Sequence, residues 1–247
     1  MKTSIIIPFL NRWDLTHQRL FEIYKHVPVG NAEIVLIDDA STDADIQSGV
    51  AWWQGTSKHP IRYYRNPENL GFGGSMNNGA KIAMKYQSEL LIFHSNDVIA
   101  SGDFFTETID LISRNPNVLL TGELIWWDSG WNTITIDGKK TIFPYGNGWY
   151  LACTSEVWKN IGGFDLNFGA YDYEDIDISA TAIYLGYNIV ALNSKYLRHI
   201  GGATISALGM DRSLQTNKNR LLFEQKWRDK IPEIQSRLEK QNVRDQR

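Results

Sequence analysis

A single cysteine, Cys153, stands in the whole chain, so no intramolecular disulfide forms and no cysteine-based zinc site is available. Long apolar runs are also missing. The amino-terminal run is stopped at Pro8, too short for the core of a signal peptide, and no stretch reaches the about 20 residues that cross a bilayer. These absences predict a soluble, cytoplasmic chain with no membrane span. Charge of one sign is scarce: 25 Lys and Arg face 28 Asp and Glu, a net of -3. That balance argues against a nucleic-acid or anionic-membrane partner, and any phosphate has to be held by a local site. No internal repeat or low-complexity linker interrupts the chain. With 43% hydrophobic residues over 247 positions, a sizeable core is available.

What the chain does have is tryptophan, nine in all, six of them at Trp52-Trp53, Trp126-Trp127-Trp131 and Trp149. Core and turn packing accounts for most such residues. A sugar-stacking wall is the sharper reading, and it suits Trp126, Trp127 and Trp131, because Asp128, Ser129 and Gly130 between them read as a loop.

Strand and helix alternate through the first half. SIIIPF, EIVLID, IRYYR and ELLIFH read as strands, and WDLTHQRLFEIYKHV and GGSMNNGAKIAMKY as helices, the latter with Met76, Ala80 and Ala83 on one face. A further helix after the second strand has Ser41 or Asp43 as its candidate cap. This alternation implies a mostly parallel sheet with right-handed crossovers. After Asp97 the rhythm changes. FFTETIDLIS, TSEVWKNIGG and IDISATAIYLG read as helices, VLLTGELIWW and YNIVALN as strands, and a hairpin is expected around Asp137-Gly138. The tail from Ser213 reads as helices broken at Pro232. The expected organisation is one α/β domain over residues 1–206, with a donor-binding part at 1–97 and an acceptor-facing part at 98–206, followed by a helical extension at 207–247.

Ligands of parallel sheets bind beyond the carboxyl ends of the strands. Those ends carry Pro8-Phe9-Leu10-Asn11, Asp38-Asp39, the segment Asn66 to Gly74, and His94-Ser95-Asn96-Asp97. Asp38 and Asp39 can accept from a ribose hydroxyl or a pyrimidine N–H, or cap the next helix. LGFGGSMNNG opens a helix with glycines that admit a diphosphate to backbone N–H groups. It lacks both the G-x-G-x-x-G spacing and the lysine of a P-loop, so neither of those folds is favoured. Asp97 can hold a divalent cation or serve as a turn residue. His199 is a candidate second ligand or a packed strand-end histidine. In Asp172-Tyr173-Glu174-Asp175-Ile176-Asp177, a helix starting near Glu174 puts Glu174 and Asp177 on one side and Asp175 with Ser179 on another. A carboxylate there can act as general base or simply complement the helix dipole.

Taken in order, these segments resemble the family 2 glycosyltransferases of the GT-A fold, in their rhamnosyl- and galactofuranosyltransferase-like branch. SIIIPFLNR is similar to the family's opening strand and VLIDDASTD to its V-D-D-x-S-x-D signature. NPENLGFGGSMNNGAKIA resembles its N-x-G-F-x-x-x-x-N-x-G segment. GFDLNFGAYDYEDIDISATAIYLGYNIV resembles its G-G-F-D…E-D-x-D stretch, and RHIGGAT its histidine motif. The match spans about residues 3 to 205. It implies an inverting transferase that moves a sugar from a UDP- or dTDP-sugar to a hydroxyl of a glycan or glycoconjugate, as in polysaccharide biosynthesis. It assigns Asp39 to the pyrimidine, with Pro8, Phe9 and Asp38 lining that pocket, and Asn69, Gly73, Gly74, Asn77 and Asn96 to the donor. Asp97 and His199 fall to a divalent cation (Mn2+ or Mg2+), Asp175 to the general base and Glu174 to acceptor orientation. The D-x-D element reads Ser95-Asn96-Asp97, with serine in the first acidic place and one anionic ligand fewer. Lys218 and Arg220 are candidates to share neutralisation of the diphosphate, or a solvated helix face. A catalytically silent sugar-nucleotide or carbohydrate binder and a sugar nucleotidyltransferase are the competing readings. The first has no need of a base opposite the donor, and the second lacks its glycine- and lysine-rich opening.

Overall fold

The structure is a computed structural model that describes residues 1–30, 32–126, 132–136, 139–169, 172–201 and 212–245. Four apolar runs form the parallel heart of the sheet: β1 (Thr3–Phe9), β2 (Ala32–Asp38), β3 (Ile61–Arg65) and β4 (Leu90–His94). β1 pairs in parallel with both β2 and β4, and β2 with β3, so all four carboxyl ends lie at one edge. The connecting helices are α1 (Trp13–His26), α2 (Ile46–Thr56) and α3 (Gly71–Lys85). Met76, Ala80 and Ala83 of α3 are fully buried against the sheet, as their helical spacing implies. α2 starts later than a cap at Ser41 or Asp43 would place it. Ser41 spends its hydroxyl on the Asn11 N–H (2.7 Å), and the residue at the N-cap of α2, Asp45, caps nothing with its side chain.

The second half departs from simple alternation. β5 (Val98–Ala100) leaves the sheet, and α4 (Phe104–Arg114) returns the chain to β6 (Val118–Thr121) and β7 (Leu124–Ile125). VLLTGELI is therefore two strands parted at Gly122-Glu123, and Trp127 lies outside the described residues. β8 (Thr133–Ile136) and β9 (Lys139–Ile142) pair antiparallel about Asp137-Gly138, which themselves lie outside the described residues. β10 (Tyr145–Gly146) pairs with β7. Then β11 (Tyr150–Thr154) inserts antiparallel between β4 and β6, and β12 (Asn188–Ala191) closes the far edge. The seven-stranded order is β12-β6-β11-β4-β1-β2-β3.

α5 (Ser155–Ile161) and α6 (Glu174–Tyr184) lie between β11 and β12, and β13 (Leu197–His199) pairs with β5. The tail forms α7 (Arg212–Trp227), a 3-10 turn (Arg228–Lys230) and α8 (Ile231–Asp245). The break precedes Pro232 rather than falling on it, because proline is tolerated in a helix's first turn, where its missing N–H has no partner to lose. Two apolar clusters fill the two faces of the sheet, and a third joins α6 to Phe223, Trp227, Ile231 and Ile234 of the tail. Among the described residues, no helix is long and apolar enough to cross a membrane.

Candidate active site

The end of β2 divides its two acids. Asp38 is fully buried and accepts from the Ser41 N–H (2.8 Å), the Tyr63 hydroxyl (2.6 Å) and the Arg65 guanidinium (2.7 Å). Burial works against its charge, yet these bonds hold it below the ordinary carboxylate range. Asp39 is also buried, but its two hydrogen bonds, from Asn66 Nδ2 (2.8 Å) and the Leu70 N–H (2.9 Å), both fall on Oδ1. Oδ2 has no partner among the described residues. Asp38 thus braces β2 against β3, and Asp39 ties β2 to the approach of α3. Pro8 and Phe9 sit alongside, in register with Ile37 and Asp38.

The opening of α3 serves the fold at several of its candidate positions. Asn69 Oδ1 accepts from the Gly71 N–H (2.9 Å). The Asn77 amide forms two bonds with the backbone of Phe164, Nδ2 to the carbonyl and Oδ1 from the N–H, each 2.9 Å. A Cβ on Gly73 would lie 3.1 Å from that of Phe164, and one on Gly74 2.7 Å from that of Leu70. Gly73, Gly74 and Asn77 therefore seat the loop after α5 on α3.

Beyond β4 the chain reaches the acid expected to hold a cation. Asp97 is almost wholly buried, and its Oδ1 accepts from the Ser95 hydroxyl (2.6 Å) and faces His199 Nε2 at 3.3 Å. Burial opposes the charge, but the bonds from His199 and Ser95 keep the carboxyl below its usual range. The contact follows from strand pairing, since β13 sets His199 opposite Val98 on β5. Asn96 turns away to Thr16 Oγ1 on α1 (3.2 Å). Behind this loop lie buried Arg19, engaged with Glu22, and His94, which burial and then the neighbouring Arg19 charge push down to about 3.

The third piece is the start of α6. Asp172 and Tyr173 both adopt left-handed backbone (φ 68° and 75°), which is costly for non-glycine residues. They turn the chain so that Asp175 meets backbone donors: Oδ1 accepts from the Ile176 N–H (2.8 Å) and Oδ2 from the Gly148 N–H (3.3 Å). Burial raises the Asp175 pKa to about 6 against the pull of those two N–H groups, and Asp172 adds to the rise. Glu174, half-buried, opens the same helix turn. Asp177 faces the tail instead, where Lys226 Nζ (2.9 Å) and Trp227 Nε1 (2.7 Å) hold it. Ser179, expected on the same side of the helix as Asp175, donates its Oγ to the Asp175 carbonyl (2.7 Å) and accepts from the Gly146 N–H (3.0 Å).

These pieces are contiguous. Asp39 holds Leu70, and two residues on Phe72 lies 3.7 Å from a Cβ placed at Gly148, the residue that donates to Asp175. Its neighbour Trp149 accepts from the Ser95 N–H (2.9 Å) and stacks on His199 (centroids 5.6 Å, 16° between planes). Gly148 and Trp149 were not separable from packing residues by sequence; their place depends on β11 pairing with β4. Arg220 pairs with Glu224 at 2.7 Å.

The sequence of residues 4–174 matches the model of glycosyl transferase family 2. The chain belongs to that family. Family 2 membership agrees with the fold, and solved structures share it. The Pyrobaculum calidifontis mannosyltransferase PcManGT, in complex with GDP-Man and Mn2+, superposes with a TM-score of 0.60 at 20% identity, over 76% of this chain and 54% of that one. GalNAc-T7 with UDP, GalNAc and Mn2+ gives 0.60 at 16% identity, over 76% and 41%. S. aureus TarS 1-349 in complex with UDP gives 0.58 at 18%, over 80% and 60%. The fold is accordingly GT-A. Among curated proteins, the uncharacterized glycosyltransferase YfnE of Bacillus subtilis (strain 168) is 25% identical over 126 residues, 51% of this chain. This family 2 chain spans 30% of YfnE's length and less than two thirds of each of these structures.

Proposed function

We propose that this chain is an inverting glycosyltransferase that moves a hexosyl or deoxyhexosyl unit from a UDP- or dTDP-sugar to a hydroxyl of a glycan or glycoconjugate. The observation that carries this reading is Asp175. It is a carboxylate poised near neutrality, fixed by two backbone N–H groups, and joined through Gly148 and Trp149 to Asp97 and His199. A general base works best with a pKa close to the operating pH. In the proposed reaction the acceptor oxygen forms the new bond to the anomeric carbon and gives its proton to Asp175. The bond from that carbon to the phosphate oxygen breaks, and the nucleoside diphosphate leaves with the electron pair. Glu174 orients the acceptor, and Asp39 reads the pyrimidine with its Oδ2, which has no partner among the described residues. The order of motifs, from VLIDDASTD to RHIGGAT, favours the rhamnosyl- and galactofuranosyltransferase-like branch.

Asp97 and His199 fit a divalent cation. An anionic oxygen and an imidazole Nε2 face one spot 3.3 Å apart, and oxygen with nitrogen suits Mn2+. Among the described residues no third His, Cys, Asp or Glu joins them, so donor phosphates and water would complete the shell. PcManGT, in complex with GDP-Man and Mn2+, and GalNAc-T7, with UDP, GalNAc and Mn2+, are similar in fold. Held by Asp97 and His199, such a cation would supply positive charge to offset that developing on the leaving diphosphate.

The deciding experiment offers the purified chain a panel of UDP- and dTDP-sugars with and without Mn2+, following release of nucleoside diphosphate. Asp175→Asn is expected to bind UDP within about threefold of wild type while turnover falls at least about 100-fold. Retained turnover in that variant rules out Asp175 as base, and release of pyrophosphate from a nucleoside triphosphate and a sugar phosphate would make the chain a nucleotidyltransferase.

A further inference from the structure

Trp149 is the point where the two halves of the candidate site touch. Its carbonyl accepts from the Ser95 N–H (2.9 Å), holding the loop that carries Asp97. Its ring lies nearly parallel to the His199 imidazole, 5.6 Å between centroids and 16° between planes. The preceding N–H, of Gly148, donates to Asp175 Oδ2 (3.3 Å), and a Cβ at that glycine would stand 3.1 Å from the Asp175 Cβ. On the other side the indole rests on Gly122, where any side chain would intrude, a Cβ falling 2.1 Å from the ring. The indole Nε1–H is buried without a hydrogen-bond partner among the described residues. Among those residues, stacking and the glycine seat hold the ring, although buried indole N–H groups are normally paired.

We infer that Trp149 is a positioning residue: its ring, seated on Gly122, holds the His199 imidazole with Nε2 toward Asp97, and its backbone keeps that pair in register with Asp175. The reasoning is mechanical. An imidazole ligand has to be held in one orientation by its surroundings, and loss of such support typically weakens metal affinity about 10- to 100-fold. Here Asp97 Oδ1 faces the Nε2 edge of the ring as the second ligand of the proposed cation, so it offers Nε2 no hydrogen bond once the cation is bound, and the indole face is left to restrict rotation of the ring. Only a flat side chain does this at 5.6 Å. Gly122 parts β6 from β7 at the point where that ring needs room, which gives the interruption of VLLTGELI a purpose. The inference rests on the cation reading of Asp97 and His199, and the test separates the two.

Mn2+ binding in the presence of UDP is measured by electron paramagnetic resonance on wild type, His199→Ala, Trp149→Phe, Trp149→Leu and Gly122→Ala, with circular dichroism and Tm confirming that each is folded. Trp149→Leu is expected to weaken Mn2+ about tenfold, and Trp149→Phe by less than about threefold, because a flat ring remains. Gly122→Ala retains the tryptophan and the histidine yet displaces the seat, so it is expected to weaken Mn2+ like the leucine variant, and it carries the test should Trp149→Leu not fold. Wild-type Mn2+ affinity in a folded Trp149→Leu or Gly122→Ala, with His199→Ala impaired, overturns the role of Trp149 alone. Unimpaired binding in His199→Ala, or none in wild type, overturns the cation reading and this inference with it.

Discussion

Two adjacent aspartates at the end of β2 show how far identical side chains diverge when their partners differ. Asp38 has three donors and no exposure, whereas Asp39 Oδ2 has no partner among the described residues. Removing Asp38 by Asp38→Ala strands Tyr63 and Arg65 and is expected to cost about 2–3 kcal/mol in urea unfolding, discounted because the Arg65 side chain is 46% exposed. Asp39→Asn keeps an oxygen for Asn66 and the Leu70 N–H but turns Oδ2 into a donor. UDP affinity is expected to fall at least about tenfold with Tm nearly unchanged; full affinity would free Asp39 of any pyrimidine contact. Asp175 is shifted in the opposite sense to Asp38, whose carboxyl is held below the ordinary range. Its folded pKa, about 6, lies above the ordinary 3.8, so the native state binds its proton more tightly than the unfolded chain does. Its contribution to stability is therefore greatest below 3.8 and is lost as pH rises through 6. Activity runs the other way, since the base has to be ionised. Transfer is expected to rise through pH 6, and Asp175→Asn, which has no proton to gain, to lose this part of the pH dependence of stability between 3.8 and 6. A stability profile for that variant parallel to wild type over this range would place the titration on another group.

At the scale of elements, apolar periodicity carried the first half, because β1, β2 and β4 are buried on both faces and read as continuous runs. It failed at β11. YLACT is short, sits next to a helix start, and is antiparallel in an otherwise parallel setting, so nothing local distinguishes it from the loop before it. With β11 unseen, the place of Gly148 and Trp149 was unseen too, and so was the contact that brings Asp175 toward Asp97. Residue type alone draws attention to the candidates: acids at strand ends to Asp39 and Asp97, and an acidic cluster at a helix start to Asp175. What the pattern could not tell was which polar groups are consumed by the fold. Asn77 is the clearest case. Both ends of its amide are bound to the backbone of Phe164, a role invisible without knowing that the loop after α5 docks on α3. Asn77→Ala is expected to lose about 2 kcal/mol of stability in urea unfolding while UDP affinity stays within about twofold. A stable variant that binds UDP poorly would return Asn77 to the donor.

At the scale of the whole molecule, the family match ends at residue 174, yet the turn that aims Asp175 is held from beyond it. Asn219 on α7 is buried, and its Nδ2 donates to the carbonyls of both Phe168 and Asp172 at 2.7 Å, while Thr216 donates to Asp172 Oδ2 at 2.6 Å. About two turns further on, Lys226 bridges Asp165 (2.6 Å) and Asp177 (2.9 Å), with Trp227 completing the second acid. Two consecutive left-handed residues are not self-supporting, and backbone strain of this kind persists only where its surroundings over-determine it. The tail supplies that determination, so we propose that it belongs to the catalytic unit rather than standing as a separate extension. Asn219→Ala removes the two carbonyl contacts without touching Asp175. It is expected to lower kcat about tenfold and leave the KM for the sugar nucleotide within about twofold, because Asp39 and the end of β2 lie elsewhere. Lys226→Met, which leaves Asp177 buried with one partner fewer, is expected to lower stability by about 2 kcal/mol, the side chain being 30% exposed. A rise in KM alone for Asn219→Ala would place the influence of α7 on the donor and leave the strained turn to hold itself.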